Sequence, residues 1–528
     1  MSEIDDYKER YAKIAKRFLL TAVIVDDEAQ IQNSPKPTAS LKKPERHTLD
    51  PMSEETSTTN EASVHSLDAR TLVDAFAKHG LICAVIAPPE DDSLAAATVV
   101  PATRRADMVI LDWQLYQDKG EKALELLKKL LKSDEVGRLR LIAIYTGEND
   151  ICAIGDRLQQ ELQQQGWNFQ SNKLGVELSY EHCRIVIYAK SGTSLPSDLE
   201  DRAISEDDVA KRLIGDFADM TKGLLPSIAL TSLTAVRENA HKVLDSFSSD
   251  LDPAFLAHRV CLPSPDDSQQ HMVSLLENEL QAIMNDATME MNPASLEAVK
   301  DWLYSKFSQD TKFLFGEKEL SFQDVARLLD EGLNQSPLGR QDYKFLSSGF
   351  VENENGSEDL DRQLAWMFNF RTVRNSPPPI LQLGTALRRQ DQESGSDLFL
   401  CMRPRCDSLR LQDEETFLLL PLIDPEKDTI QLVLKIDKNE YLRRSVCTNP
   451  SQWLLEEFAP NDSKKCVVAE QGPDEQFFFI CTKGTKFKWI GELKADFAQR
   501  VAQHFASGLS PVAIDNSEWL RRRERSGQ

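Results

Sequence analysis

Apolar and polar positions alternate with three different rhythms along this chain. The first covers residues 19 to about 220. Short apolar runs rich in β-branched residues recur there: "LLTAVIVDD" from Leu19, "LICAVIAP", "RADMVILDWQL", "LRLIAIYTGE" and "CRIVIYAKSGT". Such runs read as strands buried on both faces. Between them apolar residues fall at helical spacing. A short helix over residues 6–19 leads into the first strand. Ala69, Leu72, Val73 and Phe76 share one face of a second helix, which Gly80 ends, and "EKALELLKKLLKSD" is a third. Strands alternating with helices predict parallel βαβ units, an α/β fold with helices covering both faces of the sheet.

Two stretches interrupt this rhythm. From Glu28 to about Ser66 the chain is rich in Ser, Thr, Pro, Glu and Lys without a periodic apolar face, which predicts a flexible insertion. Between the fourth and fifth strands, "NDICAIGDRLQQELQQQGWNFQSNKLGVEL" holds one helix and a further loop, so the unit is enlarged there. The second rhythm is helical, with "DDVAKRLIGDFADMTKGLL", "TSLTAVRENAHKVLDSF", "HMVSLLENELQAIM" and "SFQDVARLLDEGL". The third, after "RNSPPPILQLGT", is strand-like: "DLFLCMRP", "TFLLLPLI", "TIQLVLKID", "KKCVVAE" and "FFFICTKG", closed by the helix "ELKADFAQRVAQHFASGL". The expected organisation is an α/β domain over 1–220, a helical region over 221–345, and a β-rich C-terminal domain over 375–528. No internal repeat is visible.

Composition narrows the class. The 528 residues allow three or four units at about 150 residues each. Asp and Glu number 85 against 62 Lys and Arg, a net charge of -23, which disfavours nucleic acid as a partner because phosphates are repelled. The one basic cluster, "LRRRERSGQ", reads as a solvated tail. The start is acidic and polar, unlike a secretory signal, and no apolar run approaches a membrane span. Nine scattered cysteines fit reduced thiols, so a cytoplasmic location is expected.

The strand ends carry the candidate chemistry. Asp26 and Asp27 follow the first strand, Asp112 the third, Thr146 the fourth and Lys190 the fifth. In an open parallel sheet, ligands bind outside the carboxyl ends of the strands. Three carboxylates suit Mg²⁺, a hard cation held by one or two carboxylates together with phosphate oxygens and water. An ammonium and a hydroxyl beside them suit phosphoryl oxygens. Phosphoryl transfer needs little beyond such positioning and charge stabilisation.

Here the sequence resembles the receiver domain of two-component response regulators. The resemblance implies a flavodoxin-like, doubly wound, five-stranded parallel sheet. It implies that Asp26 and Asp27, with Asp112, bind Mg²⁺ and that Asp112 is the phosphoacceptor of a phosphorelay. Thr146 would be the switch hydroxyl and Lys190 the phosphoryl-binding lysine. Leu115 and Gly120 also match the stretch after the acceptor. The implied phosphodonor is a histidine kinase. The sequence departs from the family where residues 28–111 separate Asp27 from Asp112. It departs again where Ser191, not Pro, follows Lys190, and where Ile187 stands at the position of the aromatic switch residue, with Tyr188 one place on.

No basic recognition helix is visible, so output through protein–protein contacts of the C-terminal region is expected. The architecture resembles receiver-containing proteins of bacterial anti-phage (antiviral) defence systems, which are encoded beside an ATPase of the histidine-kinase/gyrase (GHKL) type. One alternative is a degenerate receiver acting as a constitutive scaffold. Another is an aspartate-nucleophile phosphohydrolase of the haloacid dehalogenase type. That enzyme needs Asp-x-Asp, and the chain offers "DDEAQ". Whether the chain is an enzyme is left open by its motifs. Cys401 and Cys406 lack a second close pair to complete a zinc site and read as structural thiols, as do Cys447, Cys466 and Cys481. His241 lies in a helical stretch without any nucleotide-binding motif beside it and reads as structural.

Overall fold

A computed structural model of the chain describes residues 3–29, 68–134, 137–262, 264–333, 336–351, 357–373, 378–390, 397–427, 429–437, 440–461, 465–473 and 476–509. The expected insertion over 28–66 and the basic tail lie almost wholly outside these residues. The chain divides into two compact units, Met1–Gln309 and Asp310–Gln528.

In the first unit, helix α1 (Glu3–Phe18) precedes β1 (Thr21–Val25). There follow α2 (Ala69–Lys78), β2 (Ile82–Ile86), α3 (Asp92–Thr103), β3 (Met108–Leu111), α4 (Glu121–Ser133), β4 (Arg140–Thr146) and α5 (Ile151–Gln164). Then come β5 (Gln170–Ser171), β6 (Glu177–Tyr180), β7 (Cys183–Lys190), β8 (Ala203–Ile204) and α6 (Glu206–Met220). Five strands pair in parallel in the order β2-β1-β3-β4-β7. Strand order reverses at β1, which is the flavodoxin-like arrangement.

Alternation along the strands explains the two cores. Val23, Val25, Val109, Leu111, Ile142, Ile144, Ile185 and Ile187 point to one face, where they pack with Val99 of α3, Leu127 of α4 and Leu158 of α5. Ala22, Ile24, Met108, Ile110, Leu141, Ala143, Tyr145 and Tyr188 point to the other, against Tyr11 of α1, Phe76 of α2 and Phe217 of α6. Both faces are covered, so no strand in the middle shows polar alternation.

The sheet is larger than the five strands expected. The enlarged segment before β7 folds back as a hairpin, with β6 antiparallel to β7 and β5 antiparallel to β6. β8 adds a short parallel pairing to the end of β7. The hairpin sits against α5 with almost no space between them. A Cβ built on Gly155 of α5 would lie 1.7 Å from the Gly175 carbonyl oxygen and 3.3 Å from Ile187 Cδ1. Cys152 Sγ donates to the Leu174 carbonyl at 3.2 Å and Gln159 Nε2 to the Phe169 carbonyl at 3.1 Å, which ties the same two elements again. Helix α3, which is not among the expected helices, carries Pro101 in its interior.

The helical stretch continues with α7 (Leu224–Glu238), α8 (Ala240–Ser246), α9 (Asp252–Cys261), α10 (Asp267–Met291) and α11 (Leu296–Lys306). Two ion pairs tie it to α1: Arg10 with Asp301 at 3.1 Å and Arg17 with Glu238 at 2.5 Å. The single helix expected over "TSLTAVRENAHKVLDSF" is broken at Asn239, which caps α7 at one end and starts α8 at the other. His241 is exposed in α8. Helices α8 and α9 bury none of their residues, and Leu244, Leu256 and Val260 stand exposed on them.

The second unit corrects the helical expectation up to 345. It opens with an antiparallel hairpin, β9 (Lys312–Phe315) and β10 (Lys318–Ser321), followed by α12 (Phe322–Glu331). Its strands, Lys-Phe-Leu-Phe and Lys-Glu-Leu-Ser, are four residues each and show no clean polar–apolar alternation, so the strand period is missed in the sequence. Ser321 ends β10 and caps α12 in a reciprocal box with Asp324. Then come α13 (Ser357–Asn369), β11 (Thr385–Arg389), β12 (Leu398–Cys401), α14 (Arg405–Ser408), β13 (Glu415–Ile423), β14 (Gln431–Asp437) and β15 (Glu440–Val446). β16 (Leu454–Phe458), β17 (Glu470–Gln471), β18 (Phe477–Ile480), β19 (Lys486–Glu492) and α15 (Ala495–Leu509) complete it. The strands form one antiparallel sheet in the order β14-β15-β13-β12-β11-β19-β18-β17, with β16 on β13. Charged residues in β11, β15, β16 and β19 hid these strands in the sequence. "KKCVVAE" is no continuous strand: Val468 makes only an isolated bridge to Ile380, and β17 follows it.

Candidate functional site

Register carries the acids to one edge. Val25 pairs with Leu111, Leu111 with Ile144, and Ile144 with Ile187. One residue beyond that row stand Asp26 and Asp112, so their side chains turn to the same face as Tyr145 and Tyr188. The Asp112 N–H still donates to the Val25 carbonyl at 2.9 Å, and the Asp26 N–H to Ile86 at 3.2 Å, so both backbones are fixed by the sheet. Lys190, the last residue of β7, reaches back across β4. Its Nζ lies 2.7 Å from Asp112 Oδ2 and 3.2 Å from Asp26 Oδ2, and 5.9 Å from the centre of the Tyr145 ring.

Asp26, Asp112, Thr146 and Lys190 are all buried, at 1, 7, 0 and 7% exposure. Each carboxylate is also held by backbone. Asp26 Oδ1 accepts from the Glu28 N–H at 2.8 Å, and Asp112 Oδ1 from the Gln114 N–H at 3.1 Å. Asp27 Oδ2 accepts from the Tyr116 N–H at 2.9 Å, while its Oδ1 is buried without a partner. The Thr146 hydroxyl accepts from the Glu148 N–H at 3.2 Å. The structure therefore brings Asp26, Asp112 and Lys190 into direct contact and buries Thr146 at the end of β4. Asp27 joins them through the loop that follows Asp112.

Charge at the site is unbalanced: two buried carboxylates, Asp26 and Asp112, share one ammonium, and Asp27 adds a third negative charge beside Asp112. Burial pushes Asp26 up to about 7, and Asp112 adds to this against the pull of Lys190. Burial also raises Asp27. Burial alone would lower Lys190, but Asp112 and Asp26 outweigh it and raise the ammonium above its ordinary value. Among the described residues no three His, Cys, Asp or Glu side chains converge on a point that could hold a metal ion as they stand. The donor set nevertheless fits a hard dication. One buried carboxylate oxygen is orphaned, and the excess of negative charge is what a cation would relieve.

The loop after Asp112 is strained. Tyr116, Gln117 and Lys119 take positive φ at 55, 56 and 60°, half of the six non-glycine residues that do so among those described. Such clustering marks a backbone held for a purpose. Gly120, at φ 87°, ends the loop, and a Cβ there would lie 2.1 Å from Trp113 Cε2. Trp113 is buried under the guanidinium of Arg157, whose Cζ is 5.4 Å from the ring centre. Replacing Gly120 by Ala is expected to cost about 1–3 kcal/mol through this clash and the left-handed backbone, and to shift Trp113 emission. Urea denaturation followed at that tryptophan measures both.

A family model described as response receiver domain matches residues 18–195. The receiver match begins just before β1 and ends just after β7, and contains all five strand-end residues. No curated protein and no solved structure matches the chain. The receiver domain places the N-terminal part in the signalling and regulatory class. At the family's aromatic switch position, Ile187 is packed in the core, and Tyr188 faces the opposite side. The Tyr188 hydroxyl donates to Asp216 at 2.7 Å and accepts from Arg212 Nε at 2.8 Å, which locks β7 to α6. The Tyr116, Tyr145 and Tyr188 contacts leave no mark in the sequence, because each depends on a partner remote along the chain.

Elsewhere, Cys401 is buried and its thiol is pushed up to about 12 by that burial, while Cys406 is exposed. The arginine beside them, Arg403, lies over Phe417 and donates to the Thr416 carbonyl at 3.1 Å, a structural setting. No helix among the described residues is long and apolar enough to cross a membrane.

Proposed function

We propose that the N-terminal domain is a working phosphoacceptor whose acceptor is Asp112. The supporting observation is the Lys190 ammonium placed between Asp112 and Asp26, where it can transfer its hydrogen bonds to an incoming phosphoryl oxygen. Asp112 Oδ attacks phosphorus of a phosphohistidine on a histidine kinase or a related GHKL-type ATPase. The O–P bond forms as the N–P bond breaks, and the released imidazole nitrogen takes up a proton. Lys190 and the Thr146 hydroxyl hold two of the phosphoryl oxygens. Asp26, Asp27 and Asp112 would hold Mg²⁺, which supplies positive charge against those oxygens when bound. Output is protein–protein contact through the helical and β-rich regions, in a cytoplasmic signalling system of the kind used in bacterial anti-phage defence.

The test is beryllofluoride with Mg²⁺, read by Trp113 fluorescence, alongside intact-mass analysis after a small phosphodonor. A Mg²⁺-dependent change and the gain of one phosphoryl group are expected. If neither appears, the domain is the degenerate scaffold, a reading favoured by Ile187 and Ser191 at the switch positions.

A further inference from the structure

Two histidines outside the receiver site face each other across the α9–α10 turn. His258 Nε2 and His271 Nδ1 are 3.1 Å apart, with ring centres 5.3 Å apart. His271 is exposed and His258 is half-buried. One ring donates and the other accepts, so at least one of the two presents an imidazole lone pair, the group that ligates metals. A tetrahedral ion with Zn–N bonds of ~2.05 Å separates two ligand nitrogens by roughly 3.3 Å, so a small opening of the pair admits it.

The neighbouring residue sets the geometry in advance. Arg259 donates to the Pro265 carbonyl at 2.7 Å, to Ser268 Oγ at 3.2 Å and to Asp266 Oδ1 at 3.0 Å. It fixes the turn, and with it the approach of the two helices. Helix α9 otherwise lacks an anchor of its own, since it buries none of its residues.

We propose that His258 and His271 clamp a borderline divalent cation of the Zn²⁺ class and thereby pin α9 to α10. On binding, the proton shared by the two rings moves to the far nitrogen of its own ring, which leaves both facing lone pairs for the ion. No third His, Cys, Asp or Glu among the described residues completes the set, so water fills the remaining positions and the ion stays exchangeable. Mg²⁺, which prefers oxygen ligands, is not taken here.

The experiment uses the full chain with excess Mg²⁺ and adds Zn²⁺, following uptake by calorimetry and amide hydrogen exchange over 252–261. Uptake of one Zn²⁺ per chain and slower exchange in α9 are expected. Both should be lost in His258→Ala and in His271→Ala, and kept in Cys261→Ser, which tests the exposed thiol one turn away. Helix content and the Trp113 response should be unchanged in all three, which excludes misfolding. Zn²⁺ uptake and slowed exchange at the wild-type level in either histidine variant would overturn the proposal, as would their absence from the wild-type chain.

Discussion

Asp112→Asn is expected to abolish phosphoryl incorporation and the Mg²⁺-dependent change at Trp113 while leaving the domain folded. The substitution keeps the shape of the side chain but replaces the nucleophilic oxygen with an amide. The sheet continues to fix its backbone through the bond to Val25. Lys190 keeps Asp26 at 3.2 Å as its counter-ion, so no buried ammonium is stranded. The cost in stability should therefore stay within about 1–2 kcal/mol, measured by urea denaturation. Incorporation is read by intact mass after a small phosphodonor. Wild-type incorporation in this variant would place the acceptor elsewhere and sink the assignment.

Lys190→Met should be the most destabilising substitution at the site. It removes the one ammonium between two buried carboxylates and leaves them facing each other. Breaking a buried pair from one side costs about 3–5 kcal/mol. The loss must depend on pH, and its sign follows from Asp26. That carboxyl is already raised from 3.8 to about 7 by burial, and without Lys190 it rises further. A carboxyl whose folded value lies above its unfolded value favours folding when protonated. Its penalty therefore appears as pH climbs from about 4 and is complete above the folded value. The Lys190→Met deficit should accordingly be large at pH 8 and shrink towards pH 5, and Mg²⁺ should recover part of it at pH 8. A deficit independent of pH would mean that the lysine acts through packing alone. The same imbalance exists in the wild-type chain at smaller scale, so the metal-free domain should also gain stability on mild acidification.

The parts legible in the sequence were those written in local terms. Unbroken apolar runs announced the parallel strands. The residue just after each run announced Asp26, Asp112, Thr146 and Lys190, because in such a sheet position along a strand is also position in space. The β6–β5 hairpin was not legible, since β5 is only the polar pair Gln170–Ser171 and β6 only four residues, too short to show a strand period. β9 and β10 were hidden because each has only four residues, and exposed Leu314 between two buried phenylalanines blurs the strand period. The contacts of Tyr116 with Asp27, and of Tyr188 with Asp216, join residues tens of positions apart and leave no trace in spacing.

The contact between α5 and the hairpin bears on how a signal could leave the site. At Gly155 helix and hairpin meet backbone to backbone against the Gly175 carbonyl, and around that point Ile154, Leu158, Phe169, Val176 and Leu178 share one core. Ile187, beneath them, donates its N–H to Val176 of the hairpin at 3.0 Å. Helix, hairpin and the end of β7 thus form one closely joined plate. A rearrangement at Lys190 would tilt that plate as a whole, so its far rim at β5, more than any single pivoting ring, is where displacement would be largest.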